Sequence, residues 1–391
     1  MFSRSTNWNL TPNALTQALN DKRAEGAEIL DLTISNPTEC GFSYNRDAIL
    51  AALAQNEAVT YQPNPQGLES ARRAVALYYA ARNLEIPIHE MFLTASTSEA
   101  YSFLFRLLCD AKTNEEILIP SPGYPLFDFL ADIHNIKLVR YPCLYDHGWQ
   151  IDFPALQKLV TPHTRAIVIV NPNNPTGHYF RASQLHELHE VCLGHEIAII
   201  SDEVFLDFPC EADHEPHTFA SHHKQLTFTL SGISKICGLP QMKLSWIVVT
   251  GQEDLRAEAI GRLEALADVY LSVSTPTQLA LPQFLDQRLA FQTQVPERIR
   301  TNLHELDSQL GARPTPISRL KVEAGWNVVL RIPSTQSDEQ FAIDLLRREN
   351  VQIHPGHFYD FSADNYAVLS LIVPEEIFTE GISRLLRFTA A

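Results

Sequence analysis

Residues 166–177 read Ala166-Ile167-Val168-Ile169-Val170-Asn171-Pro172-Asn173-Asn174-Pro175-Thr176-Gly177. An unbroken apolar run from Ala166 to Val170, stopped by turn-forming residues, is what a strand buried on both faces presents. Strands of that kind belong to parallel sheets with helices on either side. The run that follows is no ordinary turn. Two Asn-Pro dipeptides closing on Thr-Gly fix an irregular loop that can aim Asn174 inward, which a plain turn would not require.

The same pattern recurs on both sides of this stretch. Strand-like runs stand at Phe92–Thr94, Ile117–Ile119, Lys137–Val139, Ile197–Ile200, Leu226–Leu230 and Leu244–Val249, with helical patterns between several of them, such as Ser98–Cys109 and Ser183–Leu193. Alternation of this kind predicts an α/β unit with a mostly parallel sheet sandwiched by helices. From about Leu285 to Leu310 the pattern is helical. Pro314 and Pro316, a strand-like Trp326–Ile332, a helix Ser337–Glu349, a strand-like Tyr366–Ile372 and a final helix Pro374–Phe388 then describe a smaller α+β unit. The opening segment reads as a helix with Thr11 as N-cap, Pro12 at the first helical position and Gly26 past the last turn. It is expected to pack on the smaller unit. We place the large domain at 45–285 and the small one at 1–44 with 286–391.

Composition narrows the class. The 391 residues are 45% apolar, enough for a sizeable core. Lys plus Arg number 30 against 46 Asp plus Glu, a formal charge of −16, which argues against a nucleic-acid binder. No apolar run approaches the roughly 18 residues of a membrane span, and the start lacks the apolar stretch of a signal peptide. Cys40, Cys109, Cys143, Cys192, Cys210 and Cys237 form no CxxC pair and read as reduced, mostly buried thiols of a cytoplasmic enzyme.

In an open parallel sheet, ligands bind beyond the carboxyl ends of the strands. Those ends carry Ala95-Ser96-Thr97-Ser98 before a helix, Pro122-Gly123-Tyr124-Pro125, the Asn171–Gly177 loop, Ser201-Asp202-Glu203, and Ser231-Gly232-Ile233-Ser234-Lys235. Small hydroxyls at a helix N-terminus, an aromatic ring, an amide, a carboxylate and a lysine together suit an anionic, planar, nitrogen-containing carbonyl compound. Singly, each has a plainer reading: hydroxyls as helix caps, Asn-Pro as a turn, Asp-Glu as a solvated strand cap, the lysine as surface. His186-Glu187-Leu188-His189 and His214-Glu215-Pro216-His217 resemble metal spacing but lack HExxH, so no metal is expected. Neither GxGxxG nor a P-loop is present.

The Asn171–Gly177 loop, Ser201-Asp202-Glu203-Val204, and Ser234-Lys235 followed by Lys243, in that order, resemble the class I/II aminotransferases, aspartate-aminotransferase-like enzymes of fold type I that use pyridoxal 5′-phosphate (PLP). The resemblance runs from about Ile29 to the last helix. It implies a Schiff base between Lys235 and PLP, Asp202 on the ring nitrogen, Asn174 on the ring oxygen O3′ and Tyr124 stacked on the ring. Thr97, Ser98 and Ser234, helped by Lys243, would hold the phosphate, and Tyr61 would reach the phosphate of a neighbouring subunit. A homodimer is implied, and amino acids and 2-oxo acids as substrates.

Five positions depart from the family pattern. Phe205 stands where a second O3′ donor is usual, and Lys243 where the phosphate arginine is. Gly232, three before the lysine, replaces a common Ser, and Ser35 replaces a usual glycine near substrate. The arginine expected before Leu369-Ser370 to bind the substrate carboxylate is Val368, with no Arg or Lys between Arg348 and Arg384. Arg331, His354 and His357 are the replacements the sequence offers. Arg331 shares strand alternation with Asn327, which places it on the substrate face. Tyr270, four before Ser274-Thr275-Pro276, stands where dicarboxylate specialists carry an arginine, so apolar or aromatic amino donors are expected. Transamination is the expected reaction. A β-eliminating lyase or decarboxylase on the same scaffold stays open, as does, more remotely, a non-catalytic PLP-binding regulator.

Overall fold

The computed structural model describes residues 1–110, 114–210, 217–221, 224–333 and 335–390. The chain enters through a helix, Ala14–Ala24, and a short strand β1 (Leu30–Asp31). The N-cap of that helix is Asn13, not Thr11: its side chain accepts the Thr16 N–H at 2.7 Å, and Gly26 follows the last turn at φ +73°. Asn is the stronger cap and stands next to the first helical residue.

The large sheet is built from β2 (Met91–Thr94), β3 (Glu116–Ser121), β4 (Lys137–Tyr145), β5 (Trp149–Ile151), β6 (Thr164–Val170), β7 (Ala198–Asp202), β8 (Thr227–Gly232) and β9 (Ser245–Thr250). Their order across the sheet is β2-β9-β8-β7-β6-β3-β4-β5. Strands β8, β7, β6, β3 and β4 are mutually parallel, and β2 points the same way because β9 runs antiparallel to both β2 and β8. Only β9 and the edge strand β5 are reversed. The mostly parallel sheet expected from the apolar runs is therefore present. Alternate residues of each run feed opposite cores. Ile117, Ile119, Val168, Val170 and Ile200 pack on one side, and Leu118, Ile167, Ile169 and Ile199 on the other. Because the parallel strands share one direction, the residues after β2, β3, β6, β7 and β8 emerge on one edge.

The helix after the sheet is longer than the sequence implies, running Thr275–Ala312 with Ser274 as N-cap and Pro282 and Pro296 inside it. Proline near a helix start costs nothing, and tertiary packing carries the helix past the interior pair. A second, antiparallel sheet follows, made of β10 (Ser318–Arg319), β11 (Asn327–Arg331), β13 (His354–Pro355) and β14 (Tyr366–Ser370) in the order β10-β11-β14-β13. Strand β12 (Val351–Gln352) pairs in parallel with β1. Leu15 and Ala18 of the first helix share a core with Phe341, Leu345 and Leu346 of the helix Asp338–Glu349 and with Phe378 and Leu385 of the last helix, as expected of the opening segment. All six cysteines are buried thiols. Among the described residues no helix is long and apolar enough to cross a membrane. His186 and His189 lie on the helix Leu185–Leu193, whereas His214, Glu215 and Pro216 lie outside the described residues.

Candidate active site

A cavity of about 160 Å³ opens at the carboxyl edge of the parallel strands. Asn174, Asp202, Lys235, Tyr124, Thr97 and Ser234 all line it, so the strand-end reading converges on one place. Ser35 and Phe205 line it too.

The loop 171–177 divides its work among its asparagines. Asn171 donates to the His217 carbonyl at 2.7 Å and accepts the Phe180 N–H at 2.9 Å. Asn173 donates to the Pro122 carbonyl and to the Thr176 hydroxyl oxygen, which also bonds His178 Nδ1 at 2.7 Å. Gly177 closes the loop at φ +69°, and an added Cβ there would stand 2.5 Å from the Ala324 carbonyl oxygen. With the loop pinned at both ends, Asn174 faces the cavity. Its Oδ1 accepts from Asn327 Nδ2 at 2.8 Å, which leaves its own amide N–H groups for another acceptor.

Lys235 sits on the short helix Ile233–Ile236, directly after β8. Its ammonium lies 4.8 Å from the Trp326 ring centre and 5.4 Å from that of Phe205. Burial lowers its pKa from 10.5 to about 8, against the opposing pull of Asp202. Burial also raises Asp202 to about 6, although the Val204 N–H, the Tyr101 hydroxyl and Lys235 all favour its charged form. The Tyr101 hydroxyl donates to Asp202 Oδ2 at 2.9 Å and the Val204 N–H to Oδ1 at 3.2 Å. Neither acid of Asp202-Glu203 is a solvated cap: they are 9% and 1% exposed. Glu203 turns to the other side, where the Thr218 hydroxyl, the Phe219 N–H and the Ser201 hydroxyl satisfy it.

At the hydroxyl end, the helix Thr97–Leu108 points its first turn at the cavity. Ser96 is its N-cap and takes the Glu99 N–H at 3.1 Å; Thr97 lines the cavity. Ser98, one residue further, does not reach the cavity wall. Lys243 is exposed, with φ +54° at the end of the 3-10 turn Pro240–Met242, and also stays outside the wall. Tyr61 and Tyr270 are surface residues, 74% and 56% exposed.

The structure does not bring Arg331 to the cavity. It ends β11 on the exposed side, with its guanidinium 5.8 Å from the ring centres of both Tyr145 and Tyr366. Alternation keeps it on the face of Asn327, but four residues of strand carry it about 13 Å away. Val368 is 1% exposed and packs against Leu320, Val329 and Tyr359. His357 turns to Asp338, bonding it at 2.9 Å. Of the three replacements only His354 approaches the cavity, through a 3.1 Å contact between its Nδ1 and the hydroxyl of Tyr359, which lines the wall.

Tyr101, Trp326 and Tyr359 were not visible as site residues in the sequence. Tyr101 falls four residues after Thr97, on the buried face of its helix, and a buried tyrosine with one polar tip was the available signal. Trp326 comes from the bend just before β11 and Tyr359 from a 3-10 turn, with no local pattern to mark them.

A neutralisable lysine facing a carboxylate held by two donors, flat aromatic walls, an oriented amide and a hydroxyl-rich helix end fit a planar pyridine aldehyde with an anionic arm. A family model described as "Aminotransferase class I and II" matches residues 27–365. A glutamate-pyruvate aminotransferase, AlaA, of Haemophilus influenzae is 27% identical over 376 residues, covering 93% of this chain and 91% of that one. An alanine aminotransferase of Mycobacterium tuberculosis is 27% identical over 384 residues, covering 93% and 86%. The structure of an alanine aminotransferase from Pyrococcus furiosus superposes with TM-score 0.87 at 23% identity over the full length of both chains, and so shows the fold.

Proposed function

The chain belongs to the class I and II aminotransferases and is an aminotransferase, and on that footing we propose that it binds PLP in the cavity beneath Lys235 and moves amino groups between an amino acid with an uncharged side chain and a 2-oxo acid. The carrying observation is Lys235 opposite Asp202, with Asn174 oriented by Asn327. When bound, PLP supplies an electron sink for the pair left when a substrate Cα loses its proton.

The residues then take distinct tasks. Asp202 holds the proton on the ring nitrogen, and Tyr101 and Val204 hold Asp202. Asn174 donates to the ring oxygen, with no second donor because Phe205 offers none. Lys235, when neutral, would take the proton from the substrate Cα onto its Nζ. Tyr124 and Trp326 form the flat walls, and Thr97 and Ser234 receive the phosphate at the helix end. Among the described residues Lys235 is the one cation whose side chain lines the cavity, so a second carboxylate on the substrate side chain finds no charged partner among them. The substrate α-carboxylate meets neutral donors, Asn327 and the Tyr359 hydroxyl, instead of a guanidinium.

We propose the division into domains 45–285 and 1–44 with 286–391, which would put the cavity between them, since Asn327 and Tyr359 come from one range and Lys235 from the other. A homodimer is part of the reading. Exposed Tyr61 and Leu271 share a surface hollow with Phe103, and exposed Tyr270 packs against that same Phe103, its ring tilted by 40° with the centres 5.1 Å apart. Tyr61 would there serve the neighbouring subunit, and Lys243 and Ser98 would support the phosphate from outside the wall.

The test is direct. Protein incubated with PLP and treated with borohydride should carry the cofactor on Lys235 by peptide mass spectrometry. Alanine with a 2-oxo acid should then turn over, with aspartate a poor donor. Attachment at another lysine, or aspartate ranking first by kcat/KM, would refute the corresponding half.

A further inference from the structure

The serine missing from the β8 end has been replaced from the neighbouring strand. In the sheet, Gly232 of β8 lies opposite Ser245 of β9, and Ser245 lies opposite Thr94 of β2. Ser245 therefore stands between the two chain turns that supply Ser234 and Thr97. It is 2% exposed, yet it lines the cavity alongside both of them. A Cβ added to Gly232 would come within 2.3 Å of Ser245 Oγ and 2.9 Å of its Cβ. Gly232 has an extended backbone, φ 178°, so its glycine is not needed for conformation. What chiefly excludes a side chain at 232 is the hydroxymethyl group of Ser245, with the Leu244 carbonyl oxygen a tight further neighbour at 3.0 Å. The two positions compete for one volume, and only one of them can place a hydroxyl there.

We infer that Ser245 donates a hydrogen bond to the PLP phosphate, doing from β9 what a serine at position 232 would do from β8. This rests on the cofactor reading above. A hydroxyl suits the task because the phosphate end of this cavity is otherwise short of charge: Lys243 remains exposed and outside the wall. Donors to an anionic oxygen from within an enclosed pocket are the strong class of hydrogen bond. Ser245, fixed in the middle of a three-strand register, is held for that bond before the ligand arrives.

The experiment measures cofactor affinity, not turnover. Apoprotein is titrated with PLP and, in parallel, with pyridoxal, which has the same ring and aldehyde but no phosphate. Ser245→Ala should weaken PLP by roughly tenfold to a hundredfold and leave pyridoxal within twofold. The exchange variant Ser245→Gly with Gly232→Ser returns a hydroxyl to the same volume from the other strand and should recover most of the PLP affinity. Circular dichroism on both variants checks that each is folded. Equal PLP affinity in Ser245→Ala, or an equal loss for PLP and pyridoxal, overturns the inference while leaving the cofactor reading intact. Failure of the unaltered protein to bind PLP overturns both.

Discussion

The two walls of the cavity are built by different rules. On one wall, Asp202 ends β7, and Asn174 and Lys235 follow the ends of β6 and β8, parallel neighbours of β7 in continuous register. Where such strands end fixes where the next residues stand. On the other wall, Asn327 begins an antiparallel strand, Trp326 precedes it, and Tyr359 hangs from the 3-10 turn Gly356–Tyr359. Nothing in the local sequence sets how far those side chains reach. In the proposed reading the first wall serves the cofactor and the second faces the substrate, and Val368, behind the second wall, stands where the family resemblance leads one to expect an arginine.

The sharpest test of the first wall is Lys235→Ala. Removing the one amine that can carry a proton at the reacting carbon should reduce transamination by about 10⁴-fold or more, in the range of losses for a group that is both nucleophile and base. Single-turnover rates with added amines give the check. Partial rescue by a small primary amine sharpens the assignment, and retention of a tenth of the activity breaks it.

Asp202→Asn comes next, with about a 10²- to 10³-fold loss expected, because a neutral amide holds no proton on the ring nitrogen. It also has a readout outside turnover. Burial holds Lys235 at about 8, and Asp202 is the anion that opposes the fall. In the unaltered apoprotein, capture of PLP by the lysine should rise with pH and be half-maximal near 8, well below the 10.5 of an ordinary lysine. In Asp202→Asn the opposing charge is gone, so the midpoint should move to lower pH. A midpoint moving upward would show that the two groups do not face each other.

The sequence revealed the first wall almost residue by residue because the information there is local. Asn174 is marked by its Asn-Pro frame, Asp202 and Lys235 by their places after buried runs, Thr97 by a helix start. What it obscured is long-range. Tyr101 looks like any buried aromatic until β7 brings Asp202 to its hydroxyl. Ser245 belongs to β9, the reversed strand, so it lies at that strand's beginning and a search of carboxyl ends passes it by. Ser98 and Lys243 match the family's order yet stop short of the wall, because sequence spacing fixes neither side-chain direction nor exposure. The opening helix shows the same limit on a smaller scale: Thr11 reads as the cap from the sequence, and only the start of the first turn at Ala14 makes it Asn13.

On the second wall, Asn327→Ala should cost about tenfold in kcat/KM, the value of one part-buried hydrogen bond whose partner is left unsatisfied. The bond from Asn327 Nδ2 to Asn174 Oδ1 orients the amide that serves the cofactor. The loss should therefore appear in kcat as well as in KM. A pure KM effect would confine Asn327 to substrate binding and separate the two walls more cleanly than the geometry does.

The smallest expected effect is the most informative about where strand alternation stops being a guide. Arg331 lies on the substrate-facing side of β11 by parity, and parity alone makes it the replacement carboxylate anchor. Its guanidinium instead lies over two tyrosine rings, Tyr145 and Tyr366, outside the cavity. Arg331→Gln should thus change kcat/KM by less than threefold with the best amino donor. Removing two exposed cation–π contacts should lower stability by roughly 1 kcal/mol, read as a small fall in the denaturant midpoint at unchanged slope. A hundredfold fall in kcat/KM with unchanged stability would mean that the guanidinium swings inward when substrate binds. The second wall would then obey the same register logic as the first, and the substrate carboxylate would keep a charged partner despite Val368.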